Sequence, residues 1–282
     1  METISIILIL TALFGAGLLY ASEPVKPESF WQGNHCVQTT VRTPDKDEQF
    51  IEAEVDGQWQ KFKLTQFPPA FWEWNRQRRR ETVEIFREML IKGREAVRRP
   101  DLSGPHNGIV ATYGGRRPDS QFALNNAVKG MGFLPPADQL PGMIARLEST
   151  LEAEFPVKLD ILDSLYVNAE KVFAPDRLVS LELYSEPGFV TQTFINQMLN
   201  PACAIVWLDI PTFKVKSIVR LLDPLDPALS EYERNVVRYV NLMHSYFHGA
   251  FPRDYIAALY YIVEVYDSSP GKDKGRGVRI DP

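Results

Sequence analysis

Cys203-Ala-Ile-Val-Trp-Leu-Asp209 and, after a three-residue gap, Phe213-Lys-Val-Lys-Ser-Ile-Val-Arg-Leu-Leu222 decide the reading of the fold. The first run is almost continuously apolar, as in a strand that is central or covered on both faces. In the second, Phe213, Val215, Ser217, Val219 and Leu221 alternate with Lys214, Lys216 and Arg220, which predicts a strand with one face toward solvent. Moving outward, Val179, Leu181 and Leu183 alternate in a strand over 178–184, and 189–199 reads as a helix. Tyr232, Val236, Val240, Met243 and Phe247 line one side of a helix over 230–248, and a strand follows over 256–266. The order β-α-β-β-α-β is the split-βαβ pattern. It predicts an α+β fold with a ferredoxin-like antiparallel sheet and helices on one face, spanning 137–266 together with a helix over 143–155 and a strand over 159–167. The glycine-rich, charged tail 267–282 reads as flexible.

Upstream, 36–136 reads as a β-hairpin, a basic amphipathic helix and a long loop. Asp56-Gly57 is a two-residue turn pair between 50–55 and 58–64, and counting outward sets Ile51 opposite Phe62 and Glu52 opposite Lys61. Residues 36–42 would add a third strand. The spacing of Phe86, Met89, Leu90, Gly93 and Val97 predicts the buried face of a helix over 75–97. Its other face is basic: nine Lys and Arg lie in 76–99 against Glu81, Glu84, Glu88 and Glu95. That face, with Arg76, Arg78, Arg79 and Arg80, suits a membrane surface or an acidic partner, or else a solvated helix with internal ion pairs. Pro, Gly and Asn dominate 100–141, an irregular connection with one strand over 109–113.

At the amino terminus, 4–21 is an uncharged run of 18 residues. As a helix it would be roughly 27 Å long, the minimum for a bilayer core. Without a basic flank or a good cleavage site, 1–22 reads as a retained single-pass membrane anchor rather than a signal, with 23–35 as an extended linker. The flanking charges favour a cytoplasmic body only slightly.

Few residues suggest chemistry. His244 and His248, four apart on a helix, stack on one face and are metal-ligand candidates, or cap the helix end. His106, in a loop, is a candidate general base. Gly114-Gly115-Arg116-Arg117 could hold an anion with turn amides and two guanidinium groups, though it lacks P-loop spacing. Cys36 and Cys203 could pair only in an oxidising compartment, and Asp223 and Asp226 suit caps for the following helix. No nucleophile elbow, dinucleotide fingerprint, CxxC or haem motif is present.

The chain has 282 residues, 31 Lys+Arg and 36 Asp+Glu, so its net charge of −5 excludes the overall electrostatic footprint of a nucleic-acid binder. With 45% hydrophobic residues and 2 Cys it is neither disordered nor a disulfide scaffold. The leading expectation is a membrane-anchored binding or assembly protein with a protein partner and no complete catalytic motif. The alternatives are a cofactor- or metal-dependent enzyme with its pocket between the two halves, and a lipid-surface binder working through the basic helix. No cofactor follows from the sequence.

Overall fold

The computed structural model describes residues 23–44, 48–93, 95 and 103–282. The span expected over 4–21 and the end of the basic helix, Val97 included, lie outside the described residues. Among the described residues no helix is long and apolar enough to cross a membrane. The transmembrane helix and the single-pass membrane placement expected from the sequence are therefore corrected: neither has structural support.

Short strands β1 (Trp31–Gln32), β2 (His35–Cys36) and β3 (Val41–Arg42) precede the hairpin β4 (Phe50–Val55) and β5 (Gln58–Lys63), and then comes helix α1 (Pro69–Lys92). Strands β6 (Asn107–Thr112) and β7 (Asn125–Gly130) lead to helices α2 (Leu140–Ser149), α3 (Phe155–Val167) and α4 (Ala169–Val172). The remainder is β8 (Arg177–Glu182), α5 (Gln192–Leu199), β9 (Ala202–Val206), β10 (Phe213–Leu222), α6 (Glu231–His248), β11 (Ile256–Asp267) and β12 (Val278–Arg279).

The main sheet runs β12-β11-β10-β9-β6-β7, all antiparallel, and β8 pairs with the free edge of β11. Just past β7, Gly132 exchanges two backbone hydrogen bonds with Val179 of β8. Six strands thus close into a ring, which removes the open edges a flat sheet would leave. The ring's interior is one apolar cluster containing Val110, Met131, Leu178, Ile205, Val215, Val219, Ala258, Tyr260 and Ile262. Gly108 sits inside it because a Cβ there would lie 2.8 Å from the Met131 side chain. Aromatic residues of α1 (Phe71, Trp72, Trp74) and residues of α5 (Phe194, Ile195, Met198) belong to the same cluster. A second cluster joins the alternate residues Val179, Leu181, Ile218, Leu222, Leu259 and Tyr261 to α2, α6 and the β4–β5 hairpin.

This is not the ferredoxin-like sheet expected. The order of elements along the chain is as read, but β11 lies between β8 and β10, where the ferredoxin-like arrangement puts the first strand between the third and fourth. The cause lies in β11 itself: twelve residues long and largely buried, it pairs with β10 along its length and with β8 over 256–261 on its other edge. The sheet also runs across the boundary expected at 136–137, since β6 and β7 belong to it. Nor is it one-sided. Ile218 and Leu222 of β10 are buried under α6 and its neighbours, on the face opposite Val215 and Val219.

Other differences have local causes. The segment 159–167, read as a strand, is the end of α3, which Pro156 opens in the first turn. The turn after Leu147 splits the helix expected over 143–155, leaving α2 to end at Ser149. The buried residues of α1 are Phe71, Trp72, Trp74, Asn75, Arg79 and Val83, so its core face lies at the amino-terminal end, while Leu90 and Ile91 are exposed. The hairpin has the register its turn dictates, Ile51 opposite Phe62 and Glu52 opposite Lys61. In the tail, Val278–Arg279 pairs with β11.

Candidate functional site

His106 stands just before β6, against Gly130, where a Cβ would come within 3.3 Å of its Nε2. On α6 the His244 and His248 rings stack, centroids 4.5 Å apart, and His244 also lies 4.6 Å from the Phe251 ring. Burial, then the charges of Arg79, His248 and His244, push the His106 imidazole down to about 4. By surface area the His106 residue is exposed, so solvent screens much of this effect. Burial and then His248 lower His244 as well. A base this weak takes up few protons near neutral pH, which limits His106 as a general base. Among the described residues no group of three or more His, Cys, Asp or Glu is placed to hold a metal ion. The His244/His248 pair therefore finds no third ligand there.

The arginines of α1 are engaged within the chain. Arg78 grips Asp209 through Nε and Nη2 at 2.6 and 2.8 Å and also reaches Glu81. Burial alone would raise Asp209, but bonds from Arg78 and Trp74 hold it below the usual carboxylate range. Arg80 pairs with Asp163, Arg87 with Asp160 and Asp163, and Arg76 with Glu73. Helical geometry puts Asp160 and Asp163 on the α3 face that meets α1. Arg79 is buried and finds no carboxylate among the described residues: it donates to the Tyr166 hydroxyl and to the carbonyls of Pro105 and Met131. Its guanidinium lies 5.0 Å from the Tyr166 ring and 5.6 Å from Phe133. What reads as a basic face is largely a set of internal fastenings.

The Gly114-Gly115-Arg116-Arg117 segment packs in a similar way. A Cβ on Gly114 would sit 2.9 Å from the Asn196 backbone, and one on Gly115 2.3 Å from the Val25 side chain. The glycines let the chain pass close over α5. Arg117 is held by both Asp119 oxygens, and Arg116 donates to the Ser120 carbonyl. Both cysteines are free and buried. Cys36 donates its backbone N–H to Asp223, which also accepts from Leu225 N–H, and Asp226 accepts from Ala228 N–H. These two aspartates fasten turns, while Ser230 and Glu233 form the capping box of α6. An open groove of about 500 Å³ at the start of α1 is lined by Trp72, Arg76, Tyr166 and Lys171, among others, and by none of the candidate histidines.

The feature that sequence reading missed is the outer face of β7, β6 and β9. Its registers bring Val128, Ile109 and Val206 into one row, and Asn126, Ala111 and Ala204 into the next. Leu124 and Tyr113 continue the alternation at one end, and Leu208 at the other. Tyr113, Leu124, Val128 and Leu208 are each more than half exposed, as are the neighbouring Phe122 and Ile210. Polarity is inverted along β7: Val128 faces out while Lys129 turns inward to Glu182, 2.6 Å away. The buried Glu182 also accepts from Ser185 and Thr191. A strand with its lysine inside and its valine outside lacks the usual signature, although the Phe122-Leu124-Val128 spacing was there to be read.

No family model matches the chain, and no curated protein matches it. Among solved structures it is similar to a Clostridium acetobutylicum protein described as related to general stress protein 26 of B. subtilis and as of the pyridoxinephosphate oxidase family. That chain is 8% identical, with a TM-score of 0.32, and the match covers 71% of this chain and 94% of the other. A likeness at that level bears on neither fold nor function.

Proposed function

We propose that this protein is a binding or assembly protein whose working surface is the outer face of β7, β6 and β9, and that its partner presents a flat, apolar, uncharged protein surface. The observation that carries this reading is the continuity of the exposed apolar face from Leu124 and Tyr113 through Val128 to Leu208. Monomeric proteins rarely leave so large a contiguous patch to water, and one rimmed by polar groups marks an interaction site. The chemistry of the rim restricts the partner. Lys216 is tied to Glu264 at 2.7 Å, Lys214 lies over the Tyr266 ring at 4.7 Å, and Asp209 is held by Arg78. With its border charges already engaged, the face offers little to a charged partner and favours one without net charge.

Photo-crosslinking tests the reading. A benzophenone amino acid introduced at positions 113, 124 and 128 of the full chain in its cells is expected to give discrete protein adducts, and one at Glu231 on α6 none. The adducts should disappear with Leu208→Asp. Equal adducts from the face and from position 231, or none from the face, would contradict the proposal.

A further inference from the structure

The occupant of the β7-β6-β9 face can be specified further, resting on the reading that this face binds protein. We infer that it is a second copy of this chain, packed sheet to sheet about a two-fold axis that passes near Ala111. A closed two-fold contact brings a surface against itself, residue i meeting j and j meeting i, so a charge on the axis meets its own like and every other charge needs an opposite one elsewhere on the same face. This face avoids that conflict: its outward residues on the three strands are Asn107, Ile109 and Ala111, Asn126, Val128 and Gly130, and Ala202, Ala204 and Val206, with no charged residue among them. Asn126 carries both donors and an acceptor, so it suits a surface that must satisfy its own copy.

Area points the same way. Tyr113, Phe122, Leu124, Val128, Leu208 and Ile210 are between 57% and 79% exposed. Taking roughly 200 Å² for a fully exposed large side chain, these six offer about 800 Å², the share each partner contributes to a standard stable interface. Ala111 lies on the central strand of the three and in the central row, flanked by Asn126 and Ala204. Small residues there let two sheets approach closely. Larger side chains at both ends, Leu124 and Tyr113 at one and Val128 and Leu208 at the other, surround that flat centre.

The experiment is sedimentation velocity on the full chain, with Val128→Asp and Ala111→Cys variants. A two-chain particle is expected for the unmodified protein and a single chain for Val128→Asp. Face-to-face sheets lie about 10 Å apart, so a short bismaleimide that attaches to dissociated chains is expected to join two Ala111→Cys chains as they re-pair. Glu231→Cys serves as the unlinked control. The native thiols give little background, because Cys36 and Cys203 are buried and burial pushes both thiol pKa values up. A single chain at tens of micromolar, or a dimer that survives Val128→Asp and resists the Ala111→Cys cross-link, would overturn the inference. Adducts from positions 113, 124 and 128 that contain a different protein, with the purified chain monomeric, would sink self-pairing while leaving the binding face intact. A monomer without such adducts would end both.

Discussion

Arg79 shows how one residue's role depends on where its helix is buried. In the sequence it belongs to the run Arg78-Arg79-Arg80 and looks solvated. In the fold the stripe Trp72, Asn75, Arg79, Val83 faces the interior, at spacings of three, four and four residues. That stripe was legible from Trp72 onward, but charge in its middle pointed the reading to the apolar set starting at Phe86. Arg79→Met leaves the Met131 carbonyl and the Tyr166 hydroxyl without their donor, whereas the Pro105 carbonyl keeps Trp207 Nε1. A loss of about 2–3 kcal/mol is expected from such orphaned buried groups, read as a lower urea midpoint at unchanged slope. His106 supplies a pH effect with a definite sign. Its folded-state pKa is lowered to about 4, so between roughly pH 6.5 and 4 the unfolded chain binds more protons than the native one. Stability should fall as pH drops through that window, and His106→Asn should flatten the decline in urea titrations taken at steps of pH. An unchanged slope would mean that His106 is unperturbed.

At the scale of elements, legibility followed the match between local pattern and burial. The register of the β4–β5 hairpin was readable because Asp56-Gly57, the apolar pair Ile51–Phe62 and the oppositely charged residues Glu52 and Lys61 agree on it, although Glu52 in fact pairs with Arg42. Helix α6 was readable from its apolar spacing, and its start rests on Ser230. There the hydroxyl accepts from Glu233 N–H while the Glu233 carboxylate accepts from Ser230 N–H. Ser230→Ala should cost about 1 kcal/mol, seen as a fall of about 2 °C in Tm. Strand β7 was not readable, since Asn125-Asn126-Ala127-Val128-Lys129-Gly130 is poor in strand formers and inverted in polarity. The inversion is held by the buried Lys129–Glu182 pair. Lys129→Met, which leaves Glu182 uncompensated, should cost roughly 3–5 kcal/mol, and adding Glu182→Leu should recover much of it. A double variant no more stable than Lys129→Met would show that the pair does not hold β7 to β8.

For the whole molecule, what the sequence could not show is closure. Each strand pattern is local, but the ring depends on β11 pairing at both edges and on Gly132 meeting Val179 across 47 residues of chain. Counting elements reproduces the order β-α-β-β-α-β and still misses the sheet, because topology is set by which edges remain free once the longest strand has paired. Closure also explains the working surface. With the ring's interior filled by its own side chains, and with α2 and α6 covering the outside of β8, β10 and β11, the outer side of β7, β6 and β9 is left uncovered by the described residues. The arginines of α1 and the Gly114-Gly115 turn are engaged within the fold, whereas the apolar rows stay exposed among the described residues.

The most direct measurement compares thiol reactivity in intact cells. The thiol of a Val128→Cys variant and that of a Glu231→Cys variant are each titrated with a membrane-permeant maleimide, in cells and again after dilution of the purified chain. Position 128 is expected to be shielded in cells and reactive when dilute, with position 231 reactive in both. Equal and full reactivity at the two positions in cells would contradict a partner-covered sheet face.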